Sequence, residues 1–169
     1  MNKVLEEVDS PINGKIRVVT TLGLGTYLQV NNLTQSGGIV DGFWRHLLGK
    51  IKRKKPEIKN CLVLGLGGGS AAMRVKTLWP QAEVTGVDVD PLMIKLGKKY
   101  LGLTGVKVVI KDASRLLRNN GLAVFNRLYY GEKRPAAMKF GAKLEKVFAR
   151  VDYVFPEANV MFVCSVTIE

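Results

Sequence analysis

The sequence predicts an α/β layer fold, a mostly parallel sheet with helices on both faces, preceded by a small antiparallel β unit. Three observations predict it. From Cys61 onward, short apolar runs alternate with helical patterns, the rhythm of strands and covering helices. A glycine-rich turn, Leu64-Gly65-Leu66-Gly67-Gly68-Gly69-Ser70, leaves the first of those runs and enters a helical pattern. An acidic pair, Asp88 and Asp90, then waits at the end of the next apolar run. Together they describe a nucleoside pocket at the carboxyl edge of a parallel sheet.

The chain is long enough, at 169 residues, for one full core with a small appendage. Its longest apolar stretch, Asn159 to Ile168, suits a buried strand and falls short of the ~20 residues a membrane helix needs. The N-terminus carries Glu6 and Glu7 and lacks an apolar signal core, so a cytoplasmic protein without membrane attachment is expected. Cys61 and Cys164 sit inside apolar strand patterns and read as reduced, buried thiols. With His46 the single histidine, no metal site is expected. Lysine and arginine number 26 against 14 acids, a net charge of +12 that attracts nucleic acid, phosphorylated partners or acidic surfaces. The densest run, Lys50 to Lys55, has no interleaved aromatic for base stacking. A solvated helix end is the favoured reading of that run, and nucleic acid stays open as a partner of the basic chain as a whole.

The first strands are Lys15–Thr20, Tyr27–Val30 and a segment after the Asn31-Asn32 turn, a hairpin or three-stranded unit. Asp41 is placed to cap a helix with Phe43, Trp44, Leu47, Leu48 and Ile51 on one face, and Pro56 ends the basic linker behind it. Cys61–Leu64 is a strand covered on both faces, and Ser70–Trp79 is a helix with Ala71, Val75 and Leu78 on one side. Glu83–Asp88 is the next strand. Asp90 caps a helix begun by Pro91 and stopped by Gly102, with Leu92, Leu96 and Tyr100 inward. Val106–Ile110 is the third strand, ending at Asp112-Ala113. The tail supplies a strand over Gly121–Asn126 and a helix from about Ala136 to Arg150, with Phe140, Leu144, Val147 and Phe148 buried. Two last strands, Val151–Phe155 and Asn159–Val166, flank a Pro156-Glu157-Ala158 turn. The expected organisation is a β unit over 1–38 and a Rossmann-like ligand-binding domain over 39–169.

Glycines after the first strand let backbone approach a ligand, with a helix N-terminus aimed at it. Asp88, 21 residues after Gly67, stands where ribose hydroxyls need a carboxylate. Asp90 is better explained as a helix cap, and Asp112-Ala113 at the same edge is placed to receive an adenine amino group. A dinucleotide is disfavoured, because Ser70 occupies the third glycine position and some 60 residues precede the loop.

Val63–Ser70, Val84–Asp90 and Lys111-Asp112-Ala113 resemble the S-adenosylmethionine-binding core of the spermidine synthase family, which shares its fold with class I S-adenosylmethionine-dependent methyltransferases. Gly14–Val18, Tyr27–Val30 and Thr34-Gln35-Ser36 resemble the small β domain that precedes that core. The resemblance runs from about Ser10 to Asp112 and resumes from Gly121 to the end. It implies S-adenosylmethionine or its decarboxylated form as cosubstrate, with Gly65, Gly67 and Gly68 along the ligand. It further implies Asp88 on ribose, Asp112 with Ala113 at adenine, and Gln35 reaching in from the β domain. Read without the resemblance, Gln35 serves equally well as a turn residue satisfying local backbone. The resemblance also implies a small-molecule amine as acceptor, a role in polyamine biosynthesis and a homodimer.

The chain departs from the family's pattern twice. Aminopropyltransferases carry a Tyr-His-Glu-like signature after the glutamine, where this chain reads Asp41-Gly42-Phe43-Trp44-Arg45-His46 and lacks the acid. Asp112 and Gly121 are only nine positions apart, whereas a strand-helix crossover takes roughly 30 residues. A central unit, carrying the family's catalytic aspartate, is therefore absent, and no catalytic residue is assigned. Its loss leaves two strand edges unpaired or draws a later strand into the vacancy. Residues missing from the sequence, repair by strand sliding or dimer exchange, and a degenerate relative are the three explanations. The first is preferred because Leu122 to Val166 keeps the pattern of an intact core. Aminopropyl transfer is the leading function; methyl transfer to a small molecule or nucleic acid, and a non-catalytic nucleoside-binding module, are the alternatives.

Overall fold

Four antiparallel strands open the chain and pair in sequence order: β1 (Asn2–Ser10), β2 (Gly14–Thr21), β3 (Gly25–Val30) and β4 (Leu33–Gly37). They belong to a computed structural model that describes residues 2–110, 122–155 and 159–165. The chain divides into two compact units, Met1–Ala113 and Ser114–Glu169. The β3–β4 turn is made by Asn31 and Asn32 with φ of 50° and 62°, the left-handed pair a tight hairpin needs. Strand β1 extends the expected three-stranded unit to four. It is an edge strand whose residues are mostly exposed, so it lacks the apolar alternation that would announce it.

Helix α1 (Gly38–Lys54) starts three residues before Asp41. Gly37 and Gly38 turn the chain into it with φ of 76° and 50°, and a Cβ on Gly37 would lie 2.4 Å from the Thr26 carbonyl oxygen. Asp41 thus falls inside the first turn. It pairs with Arg74, whose Nε donates to Oδ1 at 2.7 Å and whose Nη2 donates to Oδ2, instead of capping. Lys52, Arg53 and Lys54 form the last turn, where cations complement the helix dipole.

Next come β5 (Asn60–Leu64), α2 (Ser70–Leu78), β6 (Glu83–Asp88), α3 (Pro91–Tyr100) and β7 (Lys107–Ile110). The three strands form a parallel sheet in the order β5-β6-β7. Leu48, Leu66, Val75, Trp79, Val84 and Ile94 make its core. Trp79 lies just past α2, buried, with its indole N–H on the Lys55 carbonyl at 3.1 Å. A second apolar cluster joins Ile16, Val18 and Leu28 of the first sheet to Met93 and Leu96 of α3. That cluster seats the N-terminal sheet on the helix that follows β6.

The second unit holds β8 (Leu122–Leu128), α4 (Lys133–Leu144), β9 (Arg150–Val154) and β10 (Asn159–Ser165). Its sheet has the order β8-β10-β9, with β10 antiparallel to both neighbours. Helix α4 begins and ends earlier than its periodicity predicts. Pro135 is accommodated in the first turn, where no intrahelical donor is needed, and residues 145–149 turn toward β9. Val147, expected in the buried stripe, is consequently 74% exposed. Phe140 packs edge-on to Phe125 and Phe162 at 5.6 and 5.7 Å. Among the described residues β5 has one strand neighbour, β6, and β8 has one, β10.

Candidate functional site

The glycine loop is laced to the end of β6. The amides of Gly65 and Leu66 both donate to the Val87 carbonyl, at 2.9 and 3.0 Å. Gly67 donates its N–H to Asp88 Oδ2 at 2.6 Å, and Asp90 donates its own to Asp88 Oδ1 at 2.9 Å. Each Asp88 oxygen thus accepts one backbone donor, and a carboxylate oxygen can accept two. The half-buried Asp88 keeps acceptor capacity for a pair of hydroxyls. Gly65 is exposed with φ of 73°, and a Cβ placed there meets nothing within 4 Å. Open space therefore lies against Gly65, beside the loop that Asp88 braces.

Gly68 answers a different demand. A Cβ there would lie 2.7 to 2.8 Å from Leu28, Leu101 and Ser36, so its bareness admits neighbouring side chains. Gly97 of α3 meets Gly68 in turn, since a Cβ on Gly97 would sit 2.5 Å from the Gly68 carbonyl oxygen. The Gly68 N–H donates to Ser36 Oγ at 2.7 Å, and Ser70 Oγ accepts the Gly37 N–H at 2.7 Å.

Gln35 occupies a β-bulge. Leu28 pairs with Ser36 and Gln29 with Thr34, which leaves Gln35 as the extra residue of β4. Its backbone carbonyl lies 4.0 Å from a Cβ at Gly67. Its exposed side chain donates to the Leu33 carbonyl at 3.3 Å, the local backbone role that sequence reasoning weighed against pocket duty. Strand β4 therefore brings Gln35 alongside Gly67, with Gly65 and Asp88 on the same loop and strand end. Asp112 and Ala113 lie outside the described residues.

Asp90 caps α3 as expected, accepting the Leu92 N–H at 2.9 Å. The structure adds partners the sequence did not announce. Ser10 Oγ and Asn13 Nδ2 each donate to Asp90 Oδ2 at 2.6 Å, and the carboxylate is fully buried. Burial raises its pKa, but the hydrogen bonds from Ser10, Asn13 and the α3 backbone outweigh that and hold it below the ordinary aspartate value. Two serines, Ser36 and Ser70, also escaped sequence reasoning. The signal available was a hydroxyl in place of the third glycine and another directly after Gln35.

His46 is exposed, and no group of three or more metal-ligating side chains occurs among the described residues. No helix among them is long and apolar enough to cross a membrane.

No protein-family model matches the chain. Among solved structures it is similar to spermidine synthase from Thermotoga maritima, with a TM-score of 0.77 and 16% identity over 99% of this chain and 74% of that one. A spermidine synthase in complex with the transition-state analogue AdoDATO gives 0.74 and 17% over 99% and 73%. Human methyltransferase-like protein 13, in complex with SAH, gives 0.51 and 18% over 77% and 81%. In sequence the chain is 39% identical over 62 residues to the eEF1A lysine and N-terminal methyltransferase homolog of Drosophila melanogaster. It is 31% identical over 78 residues to the release factor glutamine methyltransferase of Deinococcus radiodurans. Those matches span 35% and 46% of this chain but only 9% and 28% of the relatives' lengths. The fold is the Rossmann-like α/β fold of spermidine synthases and class I S-adenosylmethionine-dependent methyltransferases, with the small antiparallel sheet at its N-terminus. More narrowly, the chain has the fold of an S-adenosylmethionine-dependent transferase.

Proposed function

We propose that the chain binds S-adenosylmethionine at the Gly65–Gly67 loop and transfers its methyl group to a nitrogen acceptor. The carrying observation is the Asp88 carboxylate, fixed by the amides of Gly67 and Asp90 beside the open face of Gly65. In this reading Asp88 accepts the ribose hydroxyls, and the bare backbone of Gly65 and Gly67 admits the amino-acid end of the ligand. Gly68 supports the loop from beneath, Asp112 and Ala113 meet adenine, and Gln35 borders the pocket from the β unit of 1–38. The bound ligand supplies a sulfonium-activated carbon. The chain's own residues orient it.

Methyl transfer is preferred because both sequence relatives described above are named as methyltransferases acting on protein side-chain or terminal groups. In addition, the helix after Gln35 commits its acid, Asp41, to Arg74. Aminopropyl transfer from decarboxylated S-adenosylmethionine to a small amine is the second reading, favoured by likeness to spermidine synthase over nearly the whole chain, N-terminal sheet included.

Isothermal titration with S-adenosylmethionine, S-adenosylhomocysteine, decarboxylated S-adenosylmethionine and NAD tests both. Tighter binding of S-adenosylmethionine than of its decarboxylated form is the expected result. The reverse preference would move the assignment to aminopropyl transfer. Binding of NAD alone, or of none of the four, would overturn the ligand assignment.

A further inference from the structure

Ser36 and Ser70 form a reciprocal link between β4 and the glycine loop. Ser36, from β4, accepts the amide of Gly68; Ser70, at the start of α2, accepts the amide of Gly37. Both serines are buried, at 2% and 8% exposure, and both bonds are 2.7 Å long. Each segment thus supplies one hydroxyl and one amide to the other, across 32 and 33 residues of chain.

The link flanks the bulge at Gln35. A bulged strand competes with a one-residue slip that would erase the bulge and turn alternate side chains to the other face. Slipping β4 would carry Ser36 away from Gly68 and Gly37 away from Ser70 together. It would leave two buried amides without acceptors, a costly outcome. Gly37 and Gly68 are themselves held closely, since a Cβ on Gly37 would lie 2.4 Å from the Thr26 carbonyl oxygen and one on Gly68 2.7 Å from Leu28.

We propose that Ser36 and Ser70 are positioning residues: their reciprocal clasp pins the register of β4 so that the bulged Gln35 is presented at the ligand loop. The proposal rests on the reading of that loop as an S-adenosylmethionine site. Ser70 then has a positive role where the dinucleotide pattern has its third glycine, because a glycine there could not accept the Gly37 amide.

The test uses the full chain and the variants S36A, S70A and S70T, each alone and combined with Q35A. Binding of S-adenosylhomocysteine is read by titration, and exchange of the Gly37 and Gly68 amides by NMR. S36A and S70A should each weaken binding about tenfold, by lowering the competent fraction of the loop. S70T, which keeps the hydroxyl, should restore most of it. Q35A should weaken binding in the wild-type background and have little further effect in S36A or S70A. S36A should also speed exchange at Gly37, whose own partner is untouched. Unchanged exchange at Gly37 would overturn the clasp whether or not any ligand binds. An equal effect of Q35A in all backgrounds would overturn its positioning role. A wild-type protein that ignores S-adenosyl ligands while keeping coupled exchange would instead refute the ligand reading, and with it the proposed purpose of the clasp.

Discussion

Replacing Asp90 tests a buried carboxylate with three hydrogen-bond donors. Its side chain caps α3 through Leu92 and receives Ser10 and Asn13 from the β1–β2 turn, with no exposed surface. Loss of an N-cap costs about 1 kcal/mol. Removing a charged acceptor from the buried Ser10 and the half-buried Asn13 costs roughly 1.5 kcal/mol for each. D90A should therefore lower the unfolding free energy by about 4 kcal/mol, a fall in Tm on the order of 10 °C for a chain of this size. D90N keeps one oxygen for Leu92 but points an NH2 at the Ser10–Asn13 side, so about half that loss is expected. The sign with pH follows from the depressed carboxyl: its contribution is complete above the unfolded aspartate pKa of about 3.9 and disappears as pH falls through the lower folded value. The stability gap between wild type and D90N should accordingly narrow from pH 6 to pH 3. Urea unfolding followed by circular dichroism measures it. A loss below about 1 kcal/mol in D90A at pH 7, or a gap that ignores acid, would refute the assignment.

Two further outcomes are expected. D88N turns an NH2 toward either the Gly67 or the Asp90 amide and removes the anionic acceptor, so S-adenosylhomocysteine binding should weaken by roughly 30-fold or more in titration, about 2 kcal/mol. Burial pushes the Cys61 thiol up to about 11 and, with Asp152 adding to it, the Cys164 thiol up to about 12. Ellman's reagent at pH 8 should consequently meet a thiolate fraction near one in a thousand or less, react slowly with the native protein and rapidly in denaturant.

What was legible in the sequence was local chemistry. Asn31-Asn32 encodes its turn because few residues accept two consecutive positive φ angles. Asp90-Pro91 encodes a helix start because the cap and the fixed φ act within one turn. Asp88 stood out through its spacing from the glycine loop, and in the structure it accepts the Gly67 amide. What escaped depended on partners far along the chain. The true start of α1 depends on Gly37 fitting against Thr26, and the early end of α4 leaves Val147 in solvent despite its periodic position. The Ser36–Gly68 and Ser10–Asp90 bonds join residues 32 and 80 positions apart, with no repeat or spacing rule to mark them.

The glycines of the loop look alike in sequence, yet they satisfy opposed physical requirements. At Gly65 the surroundings are empty and only the backbone objects to a side chain, because φ is 73°. At Gly68 no positive φ applies, and the objection is purely steric, from Leu28, Leu101 and Ser36. One glycine faces the space a ligand would take; the other lets β3, β4 and α3 close beneath it. A glycine-rich fingerprint therefore compresses two messages, a pocket and the packing that holds its floor. Only the second depends on residues such as Ser36 and Gly97 that the fingerprint does not include. The floor here is built in detail, with Ser36, Ser70 and Asp88 all bonded to loop or neighbouring backbone. That is the arrangement expected of a loop whose shape matters to what binds above it.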